Sequence, residues 1–166
     1  MRKRNVAEQI EIAAAKPRGA DGLLPLIAAF FREEGIETPP EAQRRNLLAM
    51  MAAPDSHILL AKEGDRPVAF ATATLTRGIE FGLAAEIEDL YVVPDARGKG
   101  LARRLMQALI AWCESQGAQE IIVVITPEGM EAIDLPAFYR RFDFRDSGRK
   151  LLYRSSPNPS NPATEA

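Results

Sequence analysis

The segment from Gly82 to Gly117 most constrains what this chain can fold into. It opens with "GLAAEIEDLYVV", a strand-forming run that Pro94 closes. Gly98 and Gly100 follow in "DARGKG", where a loop becomes a helix. Leu101, Leu105, Ala108, Leu109 and Trp112 then recur at helical spacing, which predicts an amphipathic helix from about Gly100 to Gln116 with Gly117 as its stop. The next run, "QEIIVVIT", is almost continuously apolar and β-branched, the pattern of a strand buried on both faces.

The remaining elements arrange themselves around this unit. "EQIEIAAA" alternates polar and apolar residues as a first strand. Asp21 is placed to cap a helix through "GLLPLIAAFFREE", with Pro25 in its first turn and Gly35 at its end. "PPEAQRRNLLAMMAA" reads as a second helix, and "SHILLAKE" as a strand that turns through "GDRP" into "VAFATATLTR". A last helix, "EAIDLPAFYRRF", and a last strand, "RKLLYR", give the order β-α-α-β-β-β-α-β-α-β. This is an α+β chain with a mixed central β-sheet flanked by about four helices. A single domain is expected over residues 1–154, and residues 155–166, "SSPNPSNPATEA", are expected to be a disordered tail.

Composition narrows the function classes. A chain of 166 residues with 46% apolar content can build one sizeable core. The formal net charge of -2, with both signs interspersed, disfavours nucleic acid as a partner. A single cysteine, Cys113, and a single histidine, His57, leave no soft-metal cluster. No window approaches the roughly 18 apolar residues of a membrane span, and glutamates interrupt the N-terminal apolar stretch, so a cytoplasmic location without membrane association is expected.

The glycine turn has the chemistry of an anion cradle. Backbone N–H groups unobstructed by side chains, together with the positive end of the helix dipole, favour a phosphate or pyrophosphate. Arg97, Lys99 and Arg103 add Coulomb attraction. The Gly-Lys-Ser/Thr of a P-loop is missing, as are the later glycines of the dinucleotide fingerprint.

"LYVVPDARGKGLARRL" resembles motif A of the GNAT superfamily of acetyl-CoA-dependent N-acetyltransferases, whose Arg/Gln-x-x-Gly-x-Gly/Ala signature is met by Arg97, Gly100 and Ala102. The element order is similar to the family fold over roughly residues 8–154, and "FYRRFDF" stands where members carry a Phe/Leu-Tyr-x-x-x-Gly-Phe motif. The resemblance implies acetyl-CoA as cosubstrate. It implies that the main chain of Leu90, Tyr91 and Val92 pairs with the pantetheine arm, and that Arg97, Gly98, Lys99, Gly100, Leu101, Ala102 and Arg103 hold the pyrophosphate. Tyr139 is similar to the family tyrosine that protonates the departing thiolate. Two departures stand out: Ala132 replaces an asparagine that binds the cofactor in many relatives, and Asp143 replaces the glycine of the second motif. Leu135 and Pro136 also alter the start of the last helix.

A protonated amine must lose its proton before it can attack, so an acceptor group or water chain is needed. "AEIEDLYV" supplies carboxylates. Strand alternation puts Glu86 and Glu88 on one face with Leu90 and Val92, and Asp89 on the other. Glu86 is similar in position to the glutamate base of histone-acetylating relatives, while Glu88 or Asp89 could bind an ammonium group. Together with Glu80, Glu33 and Glu34 they would favour a cationic amine. The local text is also similar to that of aminoglycoside N-acetyltransferases, and polyamines, amino acids and peptide amines remain open as acceptors. Phe30, Phe31, Met50 and Met51 are core candidates that could line the acceptor site, and Cys113 reads as core packing. Two function classes follow, an active N-acetyltransferase and a non-catalytic acyl-CoA-binding module. A homodimer is the expected assembly.

Overall fold

The computed structural model describes residues 10–126, 134–152 and 154. The chain divides into two compact units, Met1–Val124 and Ile125–Ala166.

The first unit holds a mixed sheet of five strands, β1 (Ile10–Ala14), β2 (Ser56–Glu63), β3 (Arg66–Gly78), β4 (Gly82–Val92) and β5 (Glu120–Val123). They lie side by side in chain order, antiparallel from β1 to β4, with β5 parallel to β4. Helices α1 (Ala20–Glu34) and α2 (Pro40–Ala52) lie between β1 and β2 in the chain, and α3 (Leu101–Ser115) connects β4 to β5. The connection has the length that a parallel pair requires. Four helices are present among the described residues, the fourth being α4 (Leu135–Arg140) of the second unit.

The two faces of the sheet pack differently. On one, Ala69, Ala71 and Ala73 of β3 present small side chains, and α3 lies across β2, β3 and β4. Leu101, Leu105, Met106, Leu109 and Cys113 of α3 are almost wholly buried. His57 of β2 stacks on Trp112 of α3 at 4.6 Å, and burial lowers its pKa. On the other face, Phe70, Ile58, Leu60 and Tyr91 meet Leu23, Leu26 and Ile27 of α1 and Leu47 of α2.

Several sequence expectations need correction. The run 119–126 is not buried on both faces: Ile122 is 42% and Val124 47% exposed. The reason is position, because β5 lies beyond β3 and β2, against which α1 and α2 pack. Asp21 is not the cap of α1; Gly19 stands there, and Asp21 sits in the first turn, paired with Arg44 of α2. Pro25 falls inside the helix, six residues in, because the helix begins at Ala20. The described residues of "RKLLYR" form no strand, and Leu151 and Leu152 are exposed. Gly35 does end α1, in the left-handed conformation with φ 67°. Ala132 and the tail lie outside the described residues.

Candidate active site

The site is built on β4. From Gly82 to Ile87 this strand pairs with β3 in regular register, Ile87 opposite Ala73, and the pairing resumes with Leu90 opposite Ala71. Two residues, Glu88 and Asp89, therefore face one, Thr72: a β-bulge. The Asp89 N–H donates to Thr72 Oγ1 at 3.1 Å, and that hydroxyl donates to Asp89 Oδ2 at 2.7 Å. Thr74 Oγ1 donates to Glu88 Oε1.

This bulge overturns the predicted facing of the carboxylates. Glu86 pairs with Thr74 and Tyr91 with Phe70, so Glu86 shares the α1/α2 face with Thr72, Thr74 and Tyr91. Leu90 and Val92, opposite Ala71 and Ala69, lie on the α3 face. Asp89 is not separated from its neighbours, because the extra residue lets both Glu88 and Asp89 reach the threonines of that same face. Glu86, Glu88 and Asp89 thus form one cluster. Burial, followed by the charge of Glu88, pushes the Glu86 carboxyl up. Asp89 is also raised, chiefly by burial and further by Glu88, although the Thr72 hydrogen bond opposes the shift.

A cavity of about 200 Å³ opens beside this cluster. Glu88, Asp89 and Thr72 line one part of it, and Leu23, Ile27, Phe31, Leu47, Met50 and Phe70 supply apolar wall. Phe31 and Met50, two of the four side chains read as possible acceptor-site lining, are among these; Phe30 instead packs against Phe70 and Tyr91. Thr72 was missed by sequence reasoning. Its signal was available in "AFATATLT", where threonines alternate with alanines and mark a polar line on one face of a buried strand.

The second part of the site lies where β4 leaves its parallel neighbour. Pairing with β5 covers only Ala84–Ile87, so Leu90, Tyr91 and Val92 extend past it. After Val92 the chain turns through Pro94–Ala96 into the two glycines, both left-handed with φ 75° at Gly98 and 77° at Gly100. A Cβ at either would meet no atom within 4 Å, so glycine is favoured here by the backbone conformation and not by crowding, and the space before α3 is open. The N–H groups of Leu101, Ala102 and Arg103 have no intrahelical carbonyl partner, since the helix ladder begins with the Arg104 N–H bonding the Gly100 carbonyl. Lys99 and Arg103 are exposed beside them.

Arg97 behaves differently from that pair. Its Nε donates to the Val92 carbonyl at 2.8 Å, its terminal nitrogen donates to Glu33 Oε2 at 2.6 Å, and its guanidinium lies over the Tyr91 ring. Tyr91 Oη donates to the other oxygen of Glu33 at 2.7 Å. The Arg97 and Tyr91 hydrogen bonds hold the Glu33 carboxyl below the usual range. Glu33 is therefore a tie between the end of α1, β4 and the glycine turn. With the partners 58 and 64 positions apart in the chain, nothing in the local sequence signals it.

Tyr139 belongs to the second unit, on α4, whose N-terminus Asp134 caps by accepting from the Ala137 N–H at 2.9 Å. Its ring meets Phe138 and Phe144 edge-on at 5.3 and 5.8 Å. Burial raises its phenol, which keeps it protonated at neutral pH. Asp143 takes φ 64°, the only positive φ outside glycine among the described residues, a left-handed conformation that glycine adopts most readily. Cys113 is fully buried with its thiol pushed up to about 11, in keeping with a packing role.

Residues 21–144 match the model of the acetyltransferase (GNAT) family. The chain belongs to this family. Among relatives, it is 26% identical over 122 residues to an aminoglycoside N(6')-acetyltransferase type 1 of Serratia marcescens, covering 70% of this chain and 82% of that one. It is 29% identical over 111 residues to a probable glucosamine 6-phosphate N-acetyltransferase 2 of Oryza sativa subsp. japonica, covering 61% and 62% of the two chains. An integron cassette protein from the mobile metagenome of Cole Harbour Salt Marsh superposes with a TM-score of 0.77 at 29% identity, covering 93% of this chain and 95% of that one. An aminoglycoside N-acetyltransferase solved in complex with CoA shares the fold, with a TM-score of 0.75 at 18% identity over 88% of this chain and 94% of that one. Among the described residues, no three His, Cys, Asp or Glu side chains are placed so that they could hold a metal ion together, and no helix is long and apolar enough to cross a membrane.

Proposed function

We propose that this GNAT acetyltransferase moves an acetyl group from acetyl-CoA directly to the primary amine of a small cationic acceptor, with both substrates bound at once. The observation that carries the reading is the gathering of Glu86, Glu88 and Asp89 on one face of β4, just before the segment that runs on past β5.

The residues present suit the cosubstrate. Left-handed Gly98 and Gly100, the first N–H groups of α3, and exposed Lys99 and Arg103 would hold its pyrophosphate. The main chain of Leu90, Tyr91 and Val92 would pair with its extended arm. Arg97, committed to Glu33 and the Val92 carbonyl, shapes the turn as well as adding charge. Acetyl-CoA, when bound, supplies an acetyl group activated as a thioester.

The chain's own groups manage the protons. Glu88 and Asp89, which line the cavity, attract the acceptor ammonium. The raised carboxyls of Glu86 and Asp89 take up a proton more readily than ordinary carboxylates, either directly or through a water. The amine lone pair then attacks the thioester carbonyl carbon; a C–N bond forms and the C–S bond breaks. Tyr139, by its motif position and its protonated phenol, is assigned the proton that the leaving thiolate takes up, and the second proton that the new amide nitrogen sheds restores the phenol, directly or through water.

The test is free-thiol release from acetyl-CoA against a panel of amines, with calorimetry of cosubstrate binding in parallel. Release with one amine class is expected, and Tyr139→Phe should lower kcat by about a hundredfold or more with KM for acetyl-CoA unchanged. Binding of acetyl-CoA with no release on any amine would replace this reading by that of an acyl-CoA-binding module.

A further inference from the structure

The cavity beside β4 has a shape that carries the acceptor's class further, on the premise of the acetyl-transfer reading above. Its volume of about 200 Å³ falls below the roughly 300–1,000 Å³ usual for drug-sized ligands. It is close to the ~150 Å³ apolar cavity that accommodates one benzene ring. Its wall is built by Leu23 and Ile27 of α1, Leu47 and Met50 of α2, Phe31 and Phe70. The negative charges bordering it are Glu88 and Asp89, both tethered to β3 threonines. The neutral polar lining is Thr38, Gln43, Asn46 and Thr72; Gln43 gives one N–H to the Thr38 carbonyl at 2.8 Å, and Thr72 is engaged with Asp89.

We infer that the acceptor is a compact monoamine with an apolar body, one aromatic ring or a short branched alkyl chain, whose ammonium meets Glu88 and Asp89 while its body occupies the wall between α1, α2 and β3. A sugar amine suits this lining poorly. Each ring hydroxyl placed against Leu, Ile and Phe would lose its water without gaining a partner, at a cost of about 5- to 150-fold in affinity per group, which is about 1–3 kcal/mol. With one ammonium held by both Glu88 and Asp89, a second on an extended chain would meet only uncharged lining.

The experiment compares kcat/KM for methylamine, 3-methylbutylamine, 2-phenylethylamine, spermidine and an aminoglycoside, with calorimetric binding of each amine to the full chain. 2-Phenylethylamine and 3-methylbutylamine should exceed methylamine by about a hundredfold, because buried methylenes and rings add affinity where they fill apolar space. Met50→Trp, which fills the cavity from a half-buried position, should cut the 2-phenylethylamine to methylamine ratio by about tenfold. The substrate ranking of the unaltered chain stands whether or not that variant folds. Turnover of spermidine or the aminoglycoside above both apolar amines would overturn the inference and leave the acetyl-transfer reading intact. Binding of 2-phenylethylamine, weakened in Asp89→Asn, with no acetylation of any amine tested would keep the cavity assignment and remove the transferase reading. Absence of both binding and turnover for the apolar amines would overturn the inference.

Discussion

The two faces of this sheet are made from alternate residues of the same strands, yet one is filled and the other is not. Against α3, the strands offer alanines, and the helix closes over them with five residues almost wholly buried. Against α1 and α2, the same β3 offers Phe70, Thr72 and Thr74, and packing stops short, leaving a cavity edged by carboxylates. The difference teaches where stability and chemistry are separated in this chain. One layer holds the sheet together, and the other keeps half-buried negative charge and empty volume that a stability-only sequence would eliminate.

The comparison can be broken most forcefully at Leu105. Truncation to Ala on the filled face should cost about 2–5 kcal/mol, because the removed volume becomes a new void, whereas Met50→Ala, half-buried beside an existing cavity, should cost about 1 kcal/mol or less. Equal losses in urea titration would mean that the two layers are packed alike.

Asp89→Asn should move stability the other way, upward by on the order of 1 kcal/mol at neutral pH, while amine turnover falls. Burial raises the Asp89 carboxyl in the folded state, so the folded chain binds that proton more tightly than the unfolded chain does. The stability tied to this group is complete below the ordinary value of 3.8 and is lost as pH rises through the raised value. The advantage of the Asn variant should therefore shrink as pH is lowered, and thermal melts at pH 7 and pH 4 would measure it. A variant less stable than the parent at neutral pH would mean that the charge is more than repaid by Thr72.

The smallest effect on folding is expected at Glu33. Its ion pair with Arg97 is exposed, so Glu33→Gln should change stability by only a few tenths of a kcal/mol. KM for acetyl-CoA should nonetheless rise severalfold with little change in kcat, because the tie fixes the turn that precedes α3. An unchanged KM would show the turn to be held without it.

Legibility from sequence followed the same division. Helix α3, strand β2 and the glycine turn could be read because local pattern decides them: a helical stripe, an apolar run between turn signals, and glycines where φ must be positive. The facing of Glu86, Glu88 and Asp89 could not. Strict alternation is broken by a bulge whose only signature is a pairing between strands 17 residues apart. The run "QEIIVVIT" suggested two covered faces, since apolar content reports what a strand tolerates and not which layers of the fold reach it. Tyr91 was read for its backbone alone, and its side-chain bond to Glu33 depends on where α1 ends in space.

The bulge at Glu88 and Asp89 has a consequence for how such a chain can vary. A regular strand would place two acidic side chains on that face where this one gathers three. Because Ile87 and Leu90 are held in place by Ala73 and Ala71, loss of either Glu88 or Asp89 would remove a single unit of charge, restore one-to-one pairing opposite Thr72 and leave every flanking side chain on its present side. Acceptor preference can thereby be retuned by chain length at one point, with neither layer of the molecule obliged to repack.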